Sequence, residues 1–102
     1  MLYTMGDWFV KPGREEEFVA AWRDLAEWTA LEIGPEARAM LLRDRNDPSR
    51  FTSFGPWDDE DQITAWRQSE GFGTRIERIR PLIERFEPHT LDAIAGVGAS
   101  LP

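Results

Sequence analysis

Leu2-Tyr3-Thr4-Met5-Gly6-Asp7-Trp8-Phe9-Val10-Lys11, followed by Pro12-Gly13, is the stretch that decides the fold. Aromatic and β-branched residues dominate it and Pro-Gly closes it, so it reads as a strand and a turn. Successive side chains of a strand point to opposite faces. Leu2, Trp8 and Val10 form one set; Tyr3, Met5 and Phe9 form the other. Both sets are apolar, whereas a strand with one wet face alternates apolar with polar. Both faces of this sheet therefore need cover.

Beyond the turn, Arg14 to Leu31 reads as a helix. Glu15, Glu16 and Glu17 lie in its first turn, where carboxylates suit the positive end of the helix dipole. Phe18, Trp22, Leu25 and Trp28 recur three or four apart as an apolar stripe, and Gly34-Pro35 stops the helix. Ala37 to Arg45 reads as a second strand, Asn46-Asp47-Pro48-Ser49 as a turn, and Arg50 to Trp57 as a third strand. Pro56 places the end of that strand at an edge or a terminus.

Asp58 to Ser69 reads as a short helix with Asp58 as its N-cap and Ile63 and Trp66 on its inner face. Glu70-Gly71 interrupts. Phe72, Ile76, Ile79, Ile83 and Phe86 then step four, three, four, three, which predicts a helix that Pro81 kinks and Glu87-Pro88 ends. Within it Arg80 and Glu84 are spaced for an ion pair. His89 to Val97 reads as a fourth strand. The expected division is one domain over residues 1–97 and a flexible tail over 98–102.

The order strand, helix, strand, strand, helix pair, strand is the split βαβ, ferredoxin-like arrangement: an α+β fold with a four-stranded antiparallel sheet. Its helices cover one sheet face. The apolar residues on the other call for a second subunit, so a homodimer is expected.

Bulk properties narrow the function. The chain has 102 residues, room for one ordinary domain. The formal net charge is −7 with no basic stripe, so nucleic acid is not an expected partner. There is no cysteine, which removes disulfides, thiolate catalysis and cysteine-held metals together. Neither a signal peptide nor a membrane-spanning stretch is legible, so a cytoplasmic location without membrane association is expected. Five tryptophans and six phenylalanines must line a core, a pocket or an interface.

The acidic runs Glu15-Glu16-Glu17 and Asp58-Asp59-Glu60-Asp61 lack the alternating ligands and bend glycine of a calcium loop. They are read as helix starts, and no metal is expected. His89 is the lone histidine, too few for zinc. It is either a general base or an exposed residue after a proline. Asp7, a carboxylate within an apolar strand, is either structural or a partly buried base. Trp57 and Trp66 have indole N–H groups that a ligand oxygen could satisfy. No phosphate loop, dinucleotide fingerprint or nucleophile elbow is present, so any chemistry belongs to a pocket.

The run Trp8-Phe9-Val10-Lys11-Pro12-Gly13-Arg14-Glu15-Glu16-Glu17-Phe18 resembles the opening of the antibiotic-biosynthesis-monooxygenase family. Leu42-Arg43-Asp44, Pro48-Ser49-Arg50-Phe51, Phe54-Gly55-Pro56-Trp57 and Ala65-Trp66-Arg67-Gln68-Ser69-Glu70-Gly71-Phe72 continue it in order. The resemblance spans about residues 3 to 92 and implies a ferredoxin-like subunit in a dimeric α/β barrel. One branch oxidises anthrone-like polyketides with oxygen and no cofactor. Its pocket has a tryptophan where Trp57 stands, a tyrosine near Ile63 and an asparagine near Ser53. Another branch degrades haem with a first-strand asparagine, a helical tryptophan and a histidine ten residues on. Gly6, Trp66 and Ile76 occupy those positions here, which disfavours haem degradation unless His89 substitutes for the missing iron ligand.

Two readings follow. One is a cofactor-independent monooxygenase acting on a flat aromatic, with Asp7 or His89 taking a proton. Trp57, Trp66 and Phe72 would hold the substrate. The other is a non-catalytic dimer that binds a hydrophobic small molecule.

Overall fold

The computed structural model describes residues 1–34 and 37–98. The elements are β1 (Leu2–Val10), α1 (Glu15–Ile33), β2 (Met40–Arg43), β3 (Arg50–Trp57), α2 (Glu60–Gln68), α3 (Glu70–Ile79), a 3-10 turn (Arg80–Leu82) and β4 (Ile83–Asp92). The sheet is antiparallel throughout and ordered β2-β3-β1-β4. This is the ferredoxin-like α+β arrangement expected from the element order.

Register assigns every strand residue to a face. Gly6, Trp8 and Val10 of β1 are buried, as are Phe51, Gly55 and Trp57 of β3. Trp8 lies opposite Phe51 on one side and Phe86 on the other; Gly6 lies opposite Ser53 and Pro88. These residues form the inner face, against the helices. Phe18, Leu25, Ile79 and Leu82 pack on it with Trp8, Val10 and Phe51 as one core. Phe18 is fully buried. Cutting such a side chain to alanine typically costs about 3–5 kcal/mol.

The outer face carries Tyr3, Met5, Asp7 and Phe9 in β1, opposite Pro56, Phe54, Thr52 and Arg50. Met40, Leu42 and Leu91 on this face are 42%, 47% and 45% exposed. No described helix covers them, as expected of a four-stranded sheet with its helices on one face.

Local signals explain most boundaries. Gly34, at φ +116°, ends α1 while its N–H donates to the Ala30 carbonyl at 2.9 Å. Pro35 lies outside the described residues. Asp59, one residue beyond the expected Asp58, caps α2 by accepting from the Gln62 N–H at 2.8 Å. Ser69 separates α2 from α3. Its hydroxyl donates to the Trp66 carbonyl at 2.7 Å and accepts from the Phe72 N–H at 3.2 Å. The break therefore precedes Glu70-Gly71, and Gly71 belongs to the first turn of α3.

The final expected helix requires correction. It stops at Ile79, and Ile83 and Phe86 belong to β4. Pro81 removes an N–H and clashes with the preceding turn, so it ends the helix in a 3-10 turn instead of kinking it. Arg80 consequently pairs with Glu77 at 3.0 Å and not with Glu84. Glu87-Pro88 lies within β4, and the strand ends at Asp92 well short of Val97. The second strand is also shorter than expected. Its pairing begins with Met40 opposite Phe54, so Pro56 lies where β3 has lost its β2 neighbour. Of the expected 98–102 tail, only Gly98 falls within the described residues. Among those residues no helix is long and apolar enough to cross a membrane.

Candidate functional site

A cavity of about 540 Å³ lies between the inner sheet face and the helices. Trp8, Trp22, Trp57 and Trp66 line it, together with Phe72 and Phe86. The size suits a small organic ligand, as does an apolar wall with few polar groups.

The aromatic wall is built from both layers. Trp57, at the end of β3, meets Trp66 of α2 with ring centroids 4.8 Å apart, and Trp66 meets Phe72 of α3 edge-on at 4.6 Å. Trp8 and Phe86 stack at 4.0 Å across β1 and β4. Each such pair adds about 0.5–1.5 kcal/mol beyond the area it buries. Gly6 makes the last contact possible. A side chain there would collide with the Phe86 ring, which lies 2.6 Å from the position of its Cβ.

Three of these indole N–H groups, those of Trp8, Trp57 and Trp66, are already satisfied. Trp8 Nε1 donates to Ser53 Oγ at 2.9 Å, Trp57 Nε1 to Thr4 Oγ1 at 2.8 Å and Trp66 Nε1 to Thr29 Oγ1 at 2.9 Å. Thr29 in turn donates a hydrogen bond to the Leu25 carbonyl at 2.7 Å. Thr4 and Ser53 have no such outlet among the described residues, so their O–H groups are free to point at a ligand. A hydroxyl that accepts one hydrogen bond is polarised into a better donor of the next. The idea that Trp57 and Trp66 would themselves donate to a ligand therefore needs correction: the exposed donors are the hydroxyls behind the indoles. Ser53 was legible, being two and four residues from Gly55 and Trp57 on one strand face. Thr4 and Thr29 carried no local signal.

The sequence candidates separate into two groups. Trp57, Trp66 and Phe72 meet at the cavity. Asp7 and His89 line it nowhere; they lie on the outer face. There Asp7 accepts from Thr52 Oγ1 at 2.8 Å, and its carboxylate is 3.7 Å from His89 Nε2 and 3.9 Å from Arg50. The physical reason is parity. Asp7 and Trp8 are neighbours in β1, so a whole sheet separates their side chains. His89 is equally unable to ligate iron held among Trp57, Trp66 and Phe72, so the site does not fit haem.

Charged groups lie among the residues lining the cavity. Glu27 is the one carboxylate lining it among the described residues, and Arg38 and Arg67 are the cations. Among the described residues no polar or charged side chain is buried.

A model of the antibiotic biosynthesis monooxygenase family matches residues 1–78. Comparison with curated proteins gave no match. A crystal structure of an antibiotic biosynthesis monooxygenase is 24% identical, covers 93% of this chain and 100% of its own, and superimposes with a TM-score of 0.80. A mutant of SnoaB, a cofactor-independent oxygenase from Streptomyces nogalater, is 21% identical. It covers 96% of this chain and 97% of its own, with a TM-score of 0.86. Identities this low establish a shared fold and leave function to the site. The family match over more than half the residues leads to one conclusion: the chain belongs to the antibiotic biosynthesis monooxygenase family.

Proposed function

We propose that the chain is a cofactor-independent monooxygenase that oxidises a flat, electron-rich aromatic of the anthrone or polyketide kind in the tryptophan-lined cavity. The observation that carries this reading is the pairing of an aromatic slot with two polarised hydroxyls, Thr4 and Ser53, at its inner sheet wall. Family membership and the SnoaB-like fold support the monooxygenase class.

The chemistry needs little from the protein. Dioxygen reacts slowly with neutral closed-shell molecules, but a delocalised carbanion can hand it one electron. The site must bind the substrate, favour its ionised form and exclude water. Thr4 and Ser53 donate to the enolate oxygen and so stabilise the anion. Glu27 takes the proton. One ring CH2 and one O2 then yield one C=O and one H2O. Both the electrons and the protons come from the substrate, so no external reductant enters.

The outer face belongs to a second copy of the chain in this reading. Met5, Phe54, Met40, Leu42 and Leu91 would pack against their symmetry mates. Asp7, Arg50 and His89 would form the polar end of that interface. Such a homodimer closes the sheet into the dimeric α/β barrel.

Oxygen uptake with dithranol tests the activity. The wild type is expected to accelerate uptake above buffer, with one O2 consumed per substrate. Removing an oxyanion donor typically lowers turnover about 10²–10³-fold. Since two solvent-reachable hydroxyls share the task, a Thr4→Val, Ser53→Ala double variant should lose at least about tenfold while keeping its circular dichroism. A wild type indistinguishable from buffer across a panel of anthrones would refute catalysis. A second reading, a non-catalytic binding protein, rests on the lack of any buried titratable group among the described residues. Quenching of tryptophan fluorescence by the same aromatics, without uptake, would establish it.

A further inference from the structure

A second cavity of about 390 Å³ adjoins the first. The two share Trp8, Arg67, Phe72, Ile76, Phe86 and Pro88, so they meet along a seam formed by α2, α3, β1 and β4. Arg67 is the one charged side chain that lines both among the described residues. It has no carboxylate within 4.0 Å among those residues, whereas Arg75, Arg78, Arg80 and Arg85 each have one. The smaller cavity also contains Arg80, and among the described residues its lining includes no acid. That is notable in a chain with 19 acidic residues against 12 basic ones.

A random sample of this surface would be acidic, so the Arg67 guanidinium over an apolar floor, with the Glu77-paired Arg80 beside it, selects a ligand of opposite charge. The floor of Phe72, Ile76, Ile83 and Phe86 suits an aromatic ring, and planar guanidinium suits a planar carboxylate, which it can bind with two hydrogen bonds. We propose that the smaller cavity is a carboxylate subsite. In this proposal the ligand is a planar aromatic acid whose ring system extends into the tryptophan-lined cavity and whose carboxylate is held by Arg67, with Arg80 beside it. The inference rests on the aromatic-ligand reading above and adds the charge and orientation of the ligand: acid group at Arg67, oxidisable ring at Thr4 and Ser53.

Binding of anthraquinone-2-carboxylate and its carboxamide, followed by tryptophan quenching, tests it. The two probes share a ring system and differ in charge. The wild type should bind the acid at least about fivefold more tightly, and added salt should erode that preference. Arg67→Gln should weaken the acid about five- to tenfold and leave the amide unchanged. Arg80→Gln should cost less, because Glu77 already neutralises Arg80. Unchanged amide binding reports that the variants fold. If the wild type binds both probes equally, or Arg67→Gln binds the acid as the wild type does, the carboxylate subsite is refuted and the aromatic cavity stands. If neither probe quenches the wild type, both readings fall.

Discussion

Gly71→Ala should destabilise the protein, against the usual effect of that exchange in a helix. Alanine in place of glycine normally favours a helix by about 0.8–1.0 kcal/mol. At position 71 the new methyl carbon would fall inside contact distance of three atoms of the Trp28 indole, the farthest 2.9 Å away. The indole has little room to retreat, since the Arg75 guanidinium lies over its ring at 4.8 Å. Overpacking of this kind costs about 1–3 kcal/mol. The clash exceeds the propensity gain over most of that range, with a net loss of up to about 2 kcal/mol. For a domain of this size each ~1 kcal/mol lost lowers Tm by roughly 4–8 °C. Gly73, two residues on in the same helix, has nothing within 4 Å of the corresponding position. Gly73→Ala should thus stabilise by up to about 1 kcal/mol. Urea unfolding followed by circular dichroism, at one fixed protein concentration, compares the two. Trp28→Leu should rescue Gly71→Ala by opening the space. Equal stabilisation by both alanines would refute the reasoning and the placement of Trp28 under α3. The outcome bears on function, because a displaced α3 carries Phe72 and Ile76 away from the cavity.

Two further outcomes follow from the surface. Leu42→Glu sets a charge in the exposed apolar outer face, where Leu42 is 47% exposed. Light scattering should give twice 11.8 kDa for the wild type and 11.8 kDa for the variant; a wild-type monomer would refute the homodimer. Ser49→Ala removes the hydroxyl that donates to Glu15 at 2.7 Å, the main reason the Glu15 carboxyl titrates below its ordinary value, with backbone N–H groups adding to it. A depressed folded pKa means that the bond stabilises the fold above the unfolded pKa and stops doing so as pH falls through the folded one. In an NMR titration Glu15 should move up toward the ordinary range in Ser49→Ala. The stability gap between the two proteins should close with acidification, and a Glu15 titration unmoved by the substitution would disprove the link.

The readable parts of the chain were those governed by near neighbours. The Trp8 and Met5 sets of β1, the Phe18–Leu25 stripe of α1, the acid at helix starts and the 46–49 turn depend on residues a few positions apart, so the alternation and the caps betray them. Such patterns were enough for the element order and hence the ferredoxin-like sheet. They failed at Ile83 and Phe86, where a helical step of four and three continues by coincidence into a strand. The steric demand of Pro81, not apolar spacing, set that boundary.

The candidate site was another matter. Sequence established that Asp7 and Trp8 point opposite ways, because strand side chains alternate. It could not say which way the helices lay, and that choice put Trp8 in the cavity and Asp7 outside with His89. The pairing of each indole with its acceptor was hidden as well, although strand spacing put Ser53 on the face of Trp57: Ser53, Thr4 and Thr29 are 45, 53 and 37 residues from the tryptophans they satisfy. Local pattern thus determined the elements and their two-faced chemistry. Only tertiary packing decided which face became the cavity and which hydroxyls aim into it, since those facts depend on contacts between residues far apart in the chain.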